Sequence, residues 1–383
     1  MKVLFVTRGF PSEKRIMAGN YEAVQAKAIA AKGCQVSVIT IRWRSLPYLL
    51  TRSRITHRIV DDVEVYECTR IRLSTRICSF SKIDKFLSQR SYKKIFSRYV
   101  KENGLPDIVH AHIVTCAAAV AFLKTEYHLP FVITEHWTKT NVDNIPQWLR
   151  NQSEIYYKAD KVICVSQALA DSLKGNFQIE SVVINNMVSN LFFQSSKKKR
   201  KDKTFRFIAC GAFRENRNKG FDILVDAFAK VRFPKTVSLD IVGDGPDRPF
   251  IENKIVQNNL SDQIHLLGLK KSEEVSDLLC NSDCFVLSSR LETFSIVVIE
   301  AMAKGLPVVA TRCGGPETFL LPEHGILVEK ENIEELADAM NYMLGHFSEY
   351  DSQKIRKYCY DHFSQDVIAE KIIEVYNQLL NQH

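Results

Sequence analysis

Short apolar runs recur along the chain with helical patterns between them. Residues 2–6, 35–40, 107–110, 131–134 and 161–165 read as buried strands, and the pattern of residues 20–32 reads as a helix between the first two. The alternation stops at residues 195–203, a charged stretch with no apolar residue, and restarts with a strand at 205–210. It continues as a helix at 221–231, a strand at 238–242, a helix at 249–258, a strand at 264–266 and a final helix ending near Leu380. Strand–helix alternation of this kind predicts an α/β chain with two doubly wound parallel sheets. The expected division is a first domain over 1–194, a linker at 195–204 and a second domain over 205–363.

One segment carries recognisable chemistry. An apolar strand at 284–287 leads into a short polar loop, and a helix is expected from about Phe294 to Lys304, ended by Gly305-Leu306-Pro307 before another apolar strand. Glu292 then lies in the loop and Glu300 about two turns into the helix, with the free amides of Phe294, Ser295 and Ile296 between them. Helix amides and dipole attract phosphate, while a carboxylate accepts hydrogen bonds from paired sugar hydroxyls. A glycosidase pair must instead face one bond at roughly 5 to 9.5 Å. Eight helical residues span about 12 Å, which disfavours that reading. A plain surface ion pair is the remaining alternative.

Glu292-x7-Glu300, the following Ala-Met-Ala-Lys-Gly-Leu-Pro-Val-Val-Ala-Thr and Gly314-Gly315-Pro316-Glu317 together resemble the nucleotide-sugar signature of the family 4 retaining glycosyltransferases. The resemblance extends to the Gly19 loop, Val165-Ser166, Asn186, the segment from Gly211 to Gly220, and Gly243-Asp-Gly-Pro246. It implies a GT-B fold, two Rossmann-like domains with an interdomain cleft, in which a last helix at 364–383 crosses back to the first domain. It also implies that Glu300 binds ribose hydroxyls, that Glu292 lies near the donor hexose, and that His136 is the cleft histidine touching the donor sugar. Lys219 fits the family's phosphate-binding Lys. Ala212 occupies the usual Arg position, so Arg214 or Arg217 is expected to substitute, and Ser295 replaces the usual Gly. Gly19 matches the acceptor-side glycine loop, with Asn20 as an N-cap or a diphosphate contact. His110 and His112 resemble a strand end facing the same cleft.

Composition narrows the class. A chain of 383 residues with 45% hydrophobic content fits two folded domains. The ten scattered cysteines suggest reduced core thiols in a cytoplasmic protein, and no run reaches the roughly 18 apolar residues of a membrane span. The first 190 residues hold 27 basic and 16 acidic side chains, and the excess is densest between Arg42 and Lys101, among Trp43, Leu46, Tyr48, Leu49 and Leu50. Such interleaving suggests an anionic membrane surface as a partner and a peripheral location, with an ordinary solvated face as the alternative. No nucleic-acid motif accompanies the charge. Asp-x-Asp is absent from the sequence, so neither metal nor other cofactor is expected. A dinucleotide site is disfavoured because the first turn, Gly9-Phe10-Pro11, lacks Gly-x-Gly-x-x-Gly and Gly243-Asp-Gly-Pro246 lies late in the chain with Pro where the loop should pass into a helix.

The resulting expectation is a retaining glycosyltransferase that moves a hexose from a UDP- or GDP-sugar to a hydroxyl of a glycan or polyisoprenyl-linked acceptor in cell-surface polysaccharide biosynthesis. A nucleotide-sugar epimerase of the same architecture and a non-catalytic sugar-nucleotide-binding partner remain as alternatives.

Overall fold

A computed structural model describes residues 1–12, 15, 18–44, 54–71, 82–142, 145–194, 203–232 and 237–382. By packing, the chain divides into unit 1, comprising Met1–Asn185 and Gln365–His383, and unit 2, comprising Asn186–Ser364.

Unit 1 is built on a sheet of eight strands: β1 Lys2–Thr7, β2 Gln35–Arg44, β3 Ile55–Val60, β4 Val63–Ile71, β5 Ile108–His112, β6 Phe131–Glu135, β7 Lys161–Cys164 and β8 Val182–Val183. Their order is β3-β4-β2-β1-β5-β6-β7-β8, and all neighbours are parallel except β3 with β4. Val3, Leu4, Phe5 and Val6 of β1 have no exposed surface, as expected of a central strand covered on both faces. The β3–β4 hairpin was not anticipated. Its two-residue turn, Asp61-Asp62, has φ of 48° and 63°, a left-handed pair that matches the twist of a tight hairpin. Strand β3 lies at the sheet edge with Ile59 66% exposed, so the alternation there is too weak to mark a buried strand.

Unit 2 holds an all-parallel sheet of β9 Phe205–Cys210, β10 Val237–Val242, β11 Ile264–Gly268, β12 Cys284–Leu287, β13 Val308–Thr311 and β14 Gly325–Val328, in the order β11-β10-β9-β12-β13-β14. Its core joins Phe207, Leu224, Phe228, Leu239, Val286 and Met340.

The last helix, Gln365–Leu380, packs in unit 1 against the helix Asn20–Ala31. Lys32 pairs with Asp366 at 2.9 Å and Glu370 at 2.7 Å, and the buried Tyr376 hydroxyl reaches His110 of β5. The expected domain boundary at 194 shifts. Asn186–Gln194 packs with unit 2 because Val188 donates its amide to Phe363 O at 2.8 Å, Phe193 packs edge-on against Tyr360, and the Lys304 ammonium sits over the Phe192 ring. Most of the expected linker lies outside the described residues, as do Leu46, Tyr48, Leu49 and Leu50 of the basic-apolar segment. Of the ten cysteines, nine are described, all as free thiols, and eight of these are buried. Among the described residues no helix is long and apolar enough to cross a membrane.

Candidate functional site

In unit 2 the polar loop after β12 meets two other loops. Glu292 is 7% exposed and accepts hydrogen bonds at Oε1 from Lys219 Nζ at 2.6 Å and Ser289 Oγ at 2.8 Å. Its amide donates to Cys313 O at 2.8 Å, which ties it to the Gly314-Gly315 turn. Lys219 is delivered by the turn between β9 and the helix Phe221–Ala229. Gly220 ends that turn at φ 62°, and a Cβ there would stand 1.9 Å from Ser288 O, so only glycine lets the turn close on the strand end. Thus the structure brings Lys219 and Glu292 together from positions 73 residues apart.

The helix begins at Ile296 and runs to Ala303, two residues later than expected. Ser295 interrupts it as a left-handed N-cap with φ 81° and ψ 81°. Glu300 is consequently just over one turn into the helix, and the 12 Å separation expected from eight helical residues does not apply. What disfavours a hydrolytic pair is that Glu292 is already engaged by an ammonium and a hydroxyl. Glu300 sits half-buried with no hydrogen bond, and burial alone pushes its carboxyl up to about 8. Such a group ionises easily only when a ligand supplies hydrogen-bond donors.

The other expected donor residues take different places. Phe294 is fully buried, its ring packed on Phe319 and Phe363, so only its backbone can face a ligand. The Arg217 guanidinium lies over the Phe250 ring at 3.5 Å and beside Asp247 Oδ2 at 3.3 Å. Arg214 is exposed. Glu317, from the Gly-Gly loop, accepts from Gly314 N at 2.8 Å through Oε1, while its Oε2 is buried without a partner. No group of three or more metal-binding side chains that could hold an ion is present among the described residues.

In unit 1 the carboxyl ends of β1, β5 and β6 converge on a histidine cluster. His110 and His112, two apart on β5, share a face with ring centroids 4.7 Å apart, and His112 lies 5.7 Å from His136. His110 is held by Thr134 Oγ1 at 2.6 Å and by the Tyr376 hydroxyl, which marks it as structural. His112 is fully buried, and neither of its ring nitrogens has a hydrogen-bond partner. Burial and then the neighbouring Arg8 charge lower His136 to about 3, so its imidazole is neutral. Tyr21 meets it edge-on at 5.2 Å, and buried Glu22 lies 4.0 Å from its Nε2. Gly19, not Asn20, is the N-cap of the helix Asn20–Ala31. Its φ is 67°, and a Cβ would stand 2.1 Å from Gly9 O.

Two residues here were not singled out from sequence. Glu135, fully buried, accepts from the amides of His136 at 3.0 Å, Trp137 at 2.9 Å and Val114 at 2.9 Å, and from the Tyr156 hydroxyl at 2.6 Å, which fixes the loop that carries His136. Ile113 has φ 63°, a rare strain for a β-branched residue, directly after His112. An acidic residue inside the apolar run Phe-Val-Ile-Thr-Glu was the available signal for the first, whereas nothing in the sequence marks the second.

The chain matches two family models, described as Glycosyltransferase Family 4 over residues 19–189 and as Glycosyl transferases group 1 over residues 204–346. It is 32% identical over 254 residues to an uncharacterized glycosyltransferase of Methanocaldococcus jannaschii, which covers 64% of this chain and 67% of that protein. It is 25% identical over 359 residues, 89% of this chain and 88% of the other, to a Bacillus subtilis protein provisionally assigned as a teichuronic acid biosynthesis glycosyltransferase. The solved structure of Anabaena HepE in complex with UDP and glucose superposes with a TM-score of 0.75 at 19% identity, covering 99% of this chain and 100% of that one. Two parallel α/β units with this connectivity and these matches make the chain a GT-B glycosyltransferase that belongs to the family 4 type.

Proposed function

We propose that this glycosyltransferase takes a hexose from a nucleotide sugar, with retention and without a metal, and places it on a hydroxyl of a glycan or lipid-linked glycan in cell-surface polysaccharide biosynthesis. The observation that carries the donor site is Glu300, a half-buried carboxyl group without a hydrogen-bond partner, one turn into a helix whose first amides are free. Paired ribose hydroxyls would supply the donors that Glu300 lacks. The helix amides and the two Nζ–H bonds that Lys219 does not use on Glu292 would meet the diphosphate charge. Glu292, oriented by Lys219 and Ser289, would accept from the hexose, and the neutral His136 imidazole would give or accept a hydrogen bond without adding charge.

In a front-side transfer the bond from the anomeric carbon to the phosphate oxygen breaks as the acceptor oxygen attacks the same face. The acceptor proton passes to the departing phosphate, so no protein nucleophile is needed. The polymer-biosynthesis role rests on the Bacillus subtilis relative, and the peripheral membrane location on the basic excess of the first 190 residues. The test is to follow transfer to added acceptor by proton NMR with and without EDTA. Product with the donor's anomeric configuration, formed equally in both, is expected. An inverted product would refute retention, and loss of turnover in EDTA would refute metal independence.

A further inference from the structure

Ser295 bears two penalties at one position. Its left-handed backbone is strained for any residue with a Cβ. Its hydroxyl is buried, in a residue only 6% exposed, and has no hydrogen-bond partner. A serine that merely caps a helix looks different, and the same chain provides the comparison. Ser166 caps the helix Gln167–Phe177 with extended backbone, φ −154° and ψ 161°, and its Oγ accepts from Leu169 N at 3.2 Å. Ser295, at φ 81° and ψ 81°, makes no such bond to its own helix. Glycine would carry the same backbone without strain and without an orphaned hydroxyl. Paired costs of this kind persist where a ligand recovers them.

We propose that the Ser295 hydroxyl is a positioning group for the donor, donating a hydrogen bond to a phosphate oxygen of the bound nucleoside diphosphate beside the free amides of Ile296 and Val297. A hydroxyl can donate to an anion where the helix N-terminus already favours negative charge, and a charge-assisted bond of this type is among the stronger ones. The assignment rests on reading unit 2 as the donor site.

The test is isothermal titration of UDP, GDP and ADP and their hexose conjugates into the whole protein, for the native chain, Ser295→Ala, Ser295→Gly and Glu300→Ala. Ser295→Ala keeps the Cβ and the strain and removes only the hydroxyl, whereas Ser295→Gly removes both, so its Tm should equal or exceed that of the native chain. Both variants are expected to weaken the diphosphate and its sugar conjugate by the same factor, about 10-fold. Native affinity in either Ser295 variant, with binding lost in Glu300→Ala, would overturn this inference and leave the donor site standing. A loss confined to the sugar conjugates would place the hydroxyl on the hexose and overturn the phosphate assignment. Absence of binding by the native chain to every nucleotide would overturn the donor site and this inference together.

Discussion

Replacing Glu300 by Gln should stabilise unit 2 increasingly as the pH rises from about 4.5 to about 8. Burial raises the carboxyl from 4.5 to about 8. In the native state the group holds its proton until about pH 8, while in the unfolded chain it loses it near 4.5, so stability falls as pH rises between those values. Every tenfold difference in proton affinity between the two states is worth about 1.36 kcal/mol, which sets a ceiling of about 5 kcal/mol above pH 8. Partial exposure and local relaxation reduce this to about 2 kcal/mol. The amide keeps the shape of the side chain and carries no charge, so Glu300→Gln escapes the loss. For a unit of this size, about 2 kcal/mol corresponds to a Tm higher by about 4–8 °C at about pH 8.5, with no difference near pH 4.5. Differential scanning calorimetry of both proteins across that range, following the transition of unit 2, reads the effect. Superimposable pH profiles would show that Glu300 is not held protonated by burial, and would refute the reasoning.

Three further outcomes follow from the same geometry. Donor binding should release close to one proton near pH 7, as ribose hydroxyls stabilise ionised Glu300; titration calorimetry in buffers of different ionisation enthalpy measures it, and zero release would count against the ribose contact. Lys219→Met should cost about 1–2 kcal/mol of stability, since it leaves Glu292 with Ser289 as its remaining hydroxyl partner, and should weaken diphosphate binding more than nucleoside binding in the same titrations. Glu135→Ala should cost about 3–5 kcal/mol in urea denaturation, because the buried Val114 amide, the partly buried His136 and Trp137 amides and the buried Tyr156 hydroxyl lose their acceptor; a cost below about 1 kcal/mol would contradict its role as the anchor of the His136 loop.

The strands were legible because β1 and β12 hold unbroken apolar runs, residues 3–6 and Cys284–Leu287, and β5, β6 and β9 are buried and mostly apolar apart from His110, His112, Thr134, Glu135 and Arg206. The β3 edge strand, half solvated and interrupted by His57 and Arg58, carried no such run, although Asp61-Asp62 between Val60 and Val63 was a turn signal. Glu292, Glu300 and Lys219 stood out by residue type and spacing. Their relation did not, because an ion pair between residues 73 apart depends on how two strand ends are brought together. The helix start was misplaced for a local reason: Phe294 continues the apolar face, while the left-handed Ser295 breaks the helix with a residue that rarely adopts that conformation. The placement of Arg217 against Phe250 and Asp247 likewise depends on a neighbouring helix that the spacing of the turn does not register.

The most direct measurement is the Tm of the native protein and of Glu300→Ala in the presence of UDP-, GDP- and ADP-hexoses. A rise with one donor that is lost in the variant is the predicted result. No rise with any donor, or an equal rise in both proteins, would contradict a donor site built on Glu300.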